Sequence, residues 1–254
     1  MKPGLILTRL YDRLETSAKD RRIDDLRIGL SYVCVKLDNG AAGLAAVLQD
    51  AMPGGCTVLK EAGTYAGASA TNGLKCLVEG RNNLHRAIGL ATANALGDAS
   101  SELTQDREAT TYFNLQPGEQ VAMVGLFSPL VERIRATGAV LTVIERNPDR
   151  INVLSPEEKQ KALKECDVAI VTATTLLNNT FEETIHFLSK PRITALMGPS
   201  TPLAPEIFQD TPVTQLGGVV VADADRILQI ISEGGGTPAM RPYLRFVNLI
   251  LNQG

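Results

Sequence analysis

Short apolar runs alternate with amphipathic stretches along the chain, and the pattern changes character near residue 105. Leu7, Leu10, Tyr11 and Leu14 recur at helical spacing, so the chain opens with an amphipathic helix that ends before the charged cluster Lys19 to Asp25. Leu26 to Leu37 alternates small or polar with apolar residues, as a half-buried strand does. Asp38-Asn39-Gly40 is a turn, and Ala41 to Leu48 returns as a second strand. The stretch from Ala51 to Asn72 is rich in Gly, Ala, Ser and Thr, with Pro53-Gly54-Gly55 as a loop. Its small residues either form a surface loop or let backbone approach a ligand. Leu84, Ile88, Ala91 and Ala95 form one stripe on a helix from Asn82 to Leu96. Asn94 sits on the margin of that stripe, where an amide needs partners: a neighbouring loop, or a ligand at a domain boundary.

Gly97 to Gly118 is polar and closes on Pro117-Gly118, which makes it the linker. Beyond it, Val121 to Phe127 reads as a buried strand, and Ser128-Pro129 as the cap and first position of a helix carrying Leu130, Val131 and Ile134. Gly138 stops that helix, and Ala139 to Ile144 is the next strand. Strand, helix, strand in about thirty residues is a right-handed βαβ unit. The alternation continues. Ser155-Pro156-Glu157-Glu158 and Thr180-Phe181-Glu182-Glu183 are capping boxes, and Asp167 to Thr172 and Arg192 to Met197 are strands. A short helix spans Ala204 to Phe208. One or two strands lie within Val213 to Val221, interrupted by Gly217-Gly218. Asp223 caps a helix that Gly234-Gly235-Gly236 ends, and Tyr243 to Leu251 packs as an edge strand or a final helix.

The expected fold class is α/β: a small α+β domain over residues 1–105, then a mostly parallel α/β domain over 106–254. A net charge of −3, from 25 Lys and Arg against 28 Asp and Glu, gives no electrostatic case for nucleic acid or an acidic membrane. No apolar run approaches the ~20 residues of a membrane helix. The N-terminal stretch is too short and charge-interrupted for a signal peptide, so the expected location is the cytoplasm. Cys34, Cys56, Cys76 and Cys166 are scattered with no C-x-x-C spacing, and His85 and His186 are isolated. Neither a zinc ribbon nor a disulfide framework follows, and no metal ligands are assigned.

In a parallel sheet, ligands bind beyond the carboxyl ends of the strands. The groups expected there are Gly125, Phe127 and Ser128; Glu145 and Asn147; Thr172 and Thr174; and Gly198, Pro199, Ser200 and Thr201. They are mostly small or hydroxylic, suited to holding a polar small molecule. Glu145 lies 20 residues after Gly125, about where dinucleotide folds place an acid for ribose hydroxyls. Its alternative is a salt bridge with Arg146 or Arg150. The G-x-G-x-x-G fingerprint is absent, and Phe127 stands where a pyrophosphate would need close backbone, so NAD is disfavoured. Hydroxyls at strand ends can also simply cap the next helix. Gly234-Gly235-Gly236 is either a helix stop or a backbone nest for an anion.

The strings IGLATANALGD, LQPGEQVAMVGLFSPLV, VIERNP, MGPSTPL and EGGGT, in this order and spacing, resemble the heavy-metal chelation domain family. The resemblance implies a domain like the N-terminal domain of enolase followed by a Rossmann-like domain, with the site in the cleft between them. The role it implies is in making or handling a pterin-, flavin- or siderophore-like metal chelate. The matching positions are Asn94, Gly125, Phe127, Glu145, Asn147, Gly198, Pro199, Ser200 and Thr201. A protein-built soft-metal site conflicts with the scarcity of histidine and the scattered cysteines. The expected partner is a small-molecule ligand or metal chelate, with Glu61, Asn72 and Asn94 closing the site and Glu145 or Glu61 as general base if the protein is an enzyme. A non-catalytic carrier or sensor of a metal chelate, or an S-adenosylmethionine-dependent methyltransferase, are the alternatives. No cofactor is specified, and a homo-oligomer is compatible with the sequence.

Overall fold

The computed structural model describes residues 4–49, 57–97 and 112–251. The chain opens with α1 (Leu5–Lys19), whose buried face carries Ile6, Leu7, Leu10 and Leu14. An antiparallel meander follows: β1 (Ile23–Ile28), β2 (Tyr32–Leu37) and β3 (Ala42–Ala46), in the order β1-β2-β3. Of the two helices that follow, α2 (Ala70–Glu79) packs on α1 and α3, and α3 (Asn83–Leu96) covers one face of this small sheet. Helix α3 is apolar almost all round, and every residue from Arg86 to Ala93 is buried, so it lies at the centre of the molecule rather than on its surface. Gly43 permits its approach: a Cβ there would lie 2.3 Å from the Ala91 carbonyl oxygen and from the Ala95 nitrogen.

The second sheet has six strands in the order β5-β4-β6-β7-β8-β9. They are β4 (Gln120–Val124), β5 (Val140–Ile144), β6 (Val168–Thr172), β7 (Ile193–Met197), β8 (Gln215–Val221) and β9 (Leu244–Ile250). All neighbours pair in parallel except β8 with β9. The helices between them are α4 (Ser128–Ala136), α5 (Pro156–Glu165), α6 (Thr174–Leu177), α7 (Phe181–His186), α8 (Ala224–Ser232) and α9 (Thr237–Met240). Strands β4, β6 and β7 are nearly continuous apolar runs because both of their faces are covered. Val121, Met123, Val168, Ile170 and Ala195 pack with Leu130 and Ile134 of α4. The alternate residues Ala122, Ala169, Val171 and Leu196 join the core of the N-terminal unit. The two units therefore share one apolar core.

Helix α8 returns to the small sheet. Its Ile227, Leu228 and Ile231 pack on Cys34 and Leu44, on the face opposite the α3 layer. The three-stranded sheet is thus enclosed on both sides, which explains the buried run Val33-Cys34-Val35.

Several local expectations change. The alternating run from Leu26 to Leu37 is two strands, because Gly29-Leu30-Ser31 turns the chain into a hairpin. Ser128 is the first residue of α4 rather than its cap, a shift of one position. The Ser155 capping box forms with both bonds, whereas the Thr180 hydroxyl donates to Asn178 Oδ1 at 2.7 Å instead of capping α7. Gly217-Gly218 does not interrupt β8, and the tail is an edge strand. After α8, Gly234 and Gly235 donate their N–H groups to the Ile231 and Ile230 carbonyls, as a helix stop does. The boundary between residues 105 and 106, and Cys56, lie outside the described residues.

Candidate functional site

The strand order reverses direction at β4, whose successor β5 lies on one side and β6 on the other. This is the crevice where open α/β sheets place ligands. Its floor is set by Gly125, at φ +83° after β4, and Thr172, at the end of β6. A Cβ on Gly125 would sit 2.7 Å from Thr172 Cγ2, so the two loops meet only because residue 125 lacks a side chain. The Thr172 and Thr174 hydroxyls are 3.1 Å apart, both half-buried, and Ser128 stands exposed at the start of α4. Gly198, after β7, faces open space. These groups come from three adjacent strands.

Glu145 bounds one side, and its carboxylate is fully occupied. Oε1 accepts the N–H groups of Arg146 at 2.7 Å and Asn147 at 3.2 Å. Oε2 accepts the Leu126 N–H at 3.2 Å and Arg150 Nη1 at 2.8 Å. Four bonds exhaust the lone pairs of a carboxylate. Burial pushes its pKa up, but the N–H groups of Arg146, Asn147 and Leu126 and the charge of Arg150 outweigh it and hold the group below the usual range. A base poised near neutral pH needs the opposite shift. Glu145 thus clasps the loops after β4 and β5, with its acceptor positions engaged by protein donors. The salt-bridge partner is Arg150, which also donates to the Leu126 carbonyl at 3.2 Å. Asn147 is exposed, and its Oδ1 accepts the Asp149 N–H at 2.9 Å.

The loop N–H groups after β4 are likewise spent. Gly125 donates to the Ile144 carbonyl, Leu126 to Glu145, and Phe127 to the Met123 sulfur at 3.4 Å. No run of free amides is left there for a phosphate.

On the other side, about three strand spacings or ~14 Å from Glu145, lies the Ser200 loop. Ser200 is 2% exposed, and its hydroxyl accepts the Ala46 N–H at 2.8 Å. The Asn94 amide donates to the Leu44 carbonyl at 2.9 Å and the Ser200 carbonyl at 3.4 Å. These bonds latch α3 and β3 of the N-terminal unit to the end of β7. Ser200 and Asn94 are thus brought together as expected, but in a contact between protein groups. Pro199 is half-buried beside them. Thr201 is buried, and its hydroxyl has no hydrogen-bond partner among the described residues.

Glu61 and Asn72 are both exposed, and Glu61 sits 3.4 Å from His85, nine residues and about 13 Å along α3 from Asn94. A different groove, of about 330 Å³, lies between β1 and α8 and is lined by Asp25, Arg27, Asp225, Leu228, Gln229, Ser232 and Glu233. No motif in the sequence marks this groove; Arg86, by contrast, stands out as the one fixed charge in α3, whose only other polar side chains are Asn83, His85, Thr92 and Asn94.

Among the described residues no group of three His, Cys, Asp or Glu could hold a metal ion. Burial pushes the Cys34 and Cys166 thiols up to about 12 and about 11, and raises Cys76, which opposes the thiolate a soft metal needs. Among the described residues no helix is long and apolar enough to cross a membrane.

The fold recurs in two solved structures of DUF364-family proteins of unknown function. The one from Pyrococcus horikoshii is 22% identical with a TM-score of 0.79, covering 97% of this chain and 100% of its own. The one from Desulfitobacterium hafniense is 20% identical with a TM-score of 0.80, covering 96% and 97%. An uncharacterized protein of Methanocaldococcus jannaschii, MJ0500, is 25% identical over 235 residues, 88% of each chain. The DUF4213 family model matches residues 11–97 and the DUF364 model residues 108–250, both with the description "Putative heavy-metal chelation". The chain belongs to this heavy-metal chelation family.

Proposed function

We propose that the chain is a small-molecule-binding protein that takes a metal chelate, of pterin-, flavin- or siderophore-like chemistry, into the crevice above β4, β6 and β7. One observation carries this reading. Ser128, the Thr172–Thr174 hydroxyl pair and Gly198 lie at the carboxyl ends of β4, β6 and β7, between the Glu145 clasp and the Ser200 latch, while among the described residues no group of three His, Cys, Asp or Glu could hold a metal. The donors to the metal then belong to the small molecule. The division near residue 105 into an enolase-like and a Rossmann-like domain is part of the same reading, supported by two separate sheets and two separate family matches.

Carrier or sensor is favoured over enzyme because the Glu145 carboxylate is saturated by protein donors and held below its ordinary pKa. The methyltransferase alternative is disfavoured because the loop amides and the acid after β5, which would hold its cofactor, are engaged with the protein itself. The test is mass spectrometry of small molecules released from protein purified out of its own cells. A stoichiometric chelator, whose removal also removes the metal, is expected. Metal retained after all small molecules are stripped would overturn the reading.

A further inference from the structure

Arg86 is 3% exposed and lies in the first turn of the buried helix α3. Its Nε donates to the carbonyl of Leu177, the last residue of α6, and its Nη2 to Oδ1 of Asn83. Neither partner is an anion. Every ion pair formed among the described residues involves some other base. A guanidinium carries five N–H donors in a rigid fork, so most of its capacity is unspent. Nη1 has no hydrogen bond to a described residue.

Burying a cation without a counter-charge is costly. A clamp on one carbonyl and one amide needs only a neutral donor, so the charge itself calls for an explanation. Burial presses the Arg86 pKa below its ordinary value, the expected response to missing compensation. The location bears on what could supply it. Leu177 is one helical turn from Thr174 at the rim, and Arg86 is eight residues, about 12 Å, before Asn94 along α3. The seam between α3 and α6 thus stands apart from the Asn94–Ser200 latch.

We propose that Arg86 receives an oxyanion, a carboxylate or a phosphate, at the α3–α6 seam. The planar fork matches either group with paired N–H donors. This site does not depend on what the rim binds.

The test follows thermal unfolding of the full chain in rising sodium phosphate and, separately, sodium acetate, each against sodium chloride at equal ionic strength. A saturable rise in Tm with either oxyanion is expected, because an anion that binds only the folded state stabilises it. A response to phosphate alone assigns phosphate, and a response to acetate assigns a carboxylate. Arg86→Met loses the rise and Arg86→Lys keeps part of it. Should Arg86→Met not fold, Arg86→Gln, which retains a donor for the Leu177 carbonyl, makes the same comparison. No rise above chloride in the unaltered protein, or an equal rise in the uncharged variants, overturns the proposal.

Discussion

The hydroxyl of Ser200 accepts the N–H of Ala46 at 2.8 Å, joining the end of β7 to the end of β3 across 154 positions of sequence. Ser200→Ala leaves a partly buried N–H without its acceptor. The expected loss is about 1–2 kcal/mol of unfolding free energy, read as a lower urea midpoint with an unchanged slope. A midpoint within error of the parent would mean that the latch contributes nothing.

Glu145 supports the rim through its charge. Its folded-state pKa is depressed, so its contribution is present above the unfolded carboxylate value of about 4.3 and fades as pH falls through the folded one. Glu145→Gln therefore destabilises the protein at pH 7 and flattens the loss of stability below about pH 5. Stability measured by denaturant at several pH values checks both. A variant as pH-sensitive as the parent would contradict the clasp.

Gly125 and Thr172 should be coupled. Gly125→Ala forces a side chain into the left-handed region and against Thr172 Cγ2, costing about 1–3 kcal/mol. Thr172→Ser removes that methyl group. The double variant should be more stable than the sum of the single effects implies, and strict additivity would sink the claim of contact.

Cys34, Cys76 and Cys166 are buried, with thiols held above their ordinary pKa. Iodoacetamide at pH 8 followed by peptide mapping should label none of the three in the native protein and all of them in urea. Rapid native labelling would reopen a thiolate role in metal handling.

The alternating strands and helices of the second sheet were legible because each strand is a short apolar run bounded by Gly, Pro or a capping residue. The hairpin at Gly29 was not, since its two strands share one unbroken alternation and only the backbone turn separates them. The rim was legible in the same way, as the ends of strands. What each rim residue does there was not. Glu145 reads as a ribose or proton acceptor from its spacing, and the competing partners, Arg150 and three backbone N–H groups, appear only once the two loops are folded together. Asn94 was correctly expected to need partners, but those partners, Leu44 and Ser200, lie 50 and 106 residues away. Arg86 could have been found as the single charge in an apolar helix; its lack of an anion is a fact of tertiary packing.

The central claim is that a small ligand sits above β4, β6 and β7. It is tested most directly by amide chemical shifts of labelled protein, titrated with the compound released from protein purified out of its own cells. Changes concentrated at Ser128, Thr172, Thr174 and Gly198 are expected. Changes centred on the groove between β1 and α8, with the rim unmoved, would contradict it.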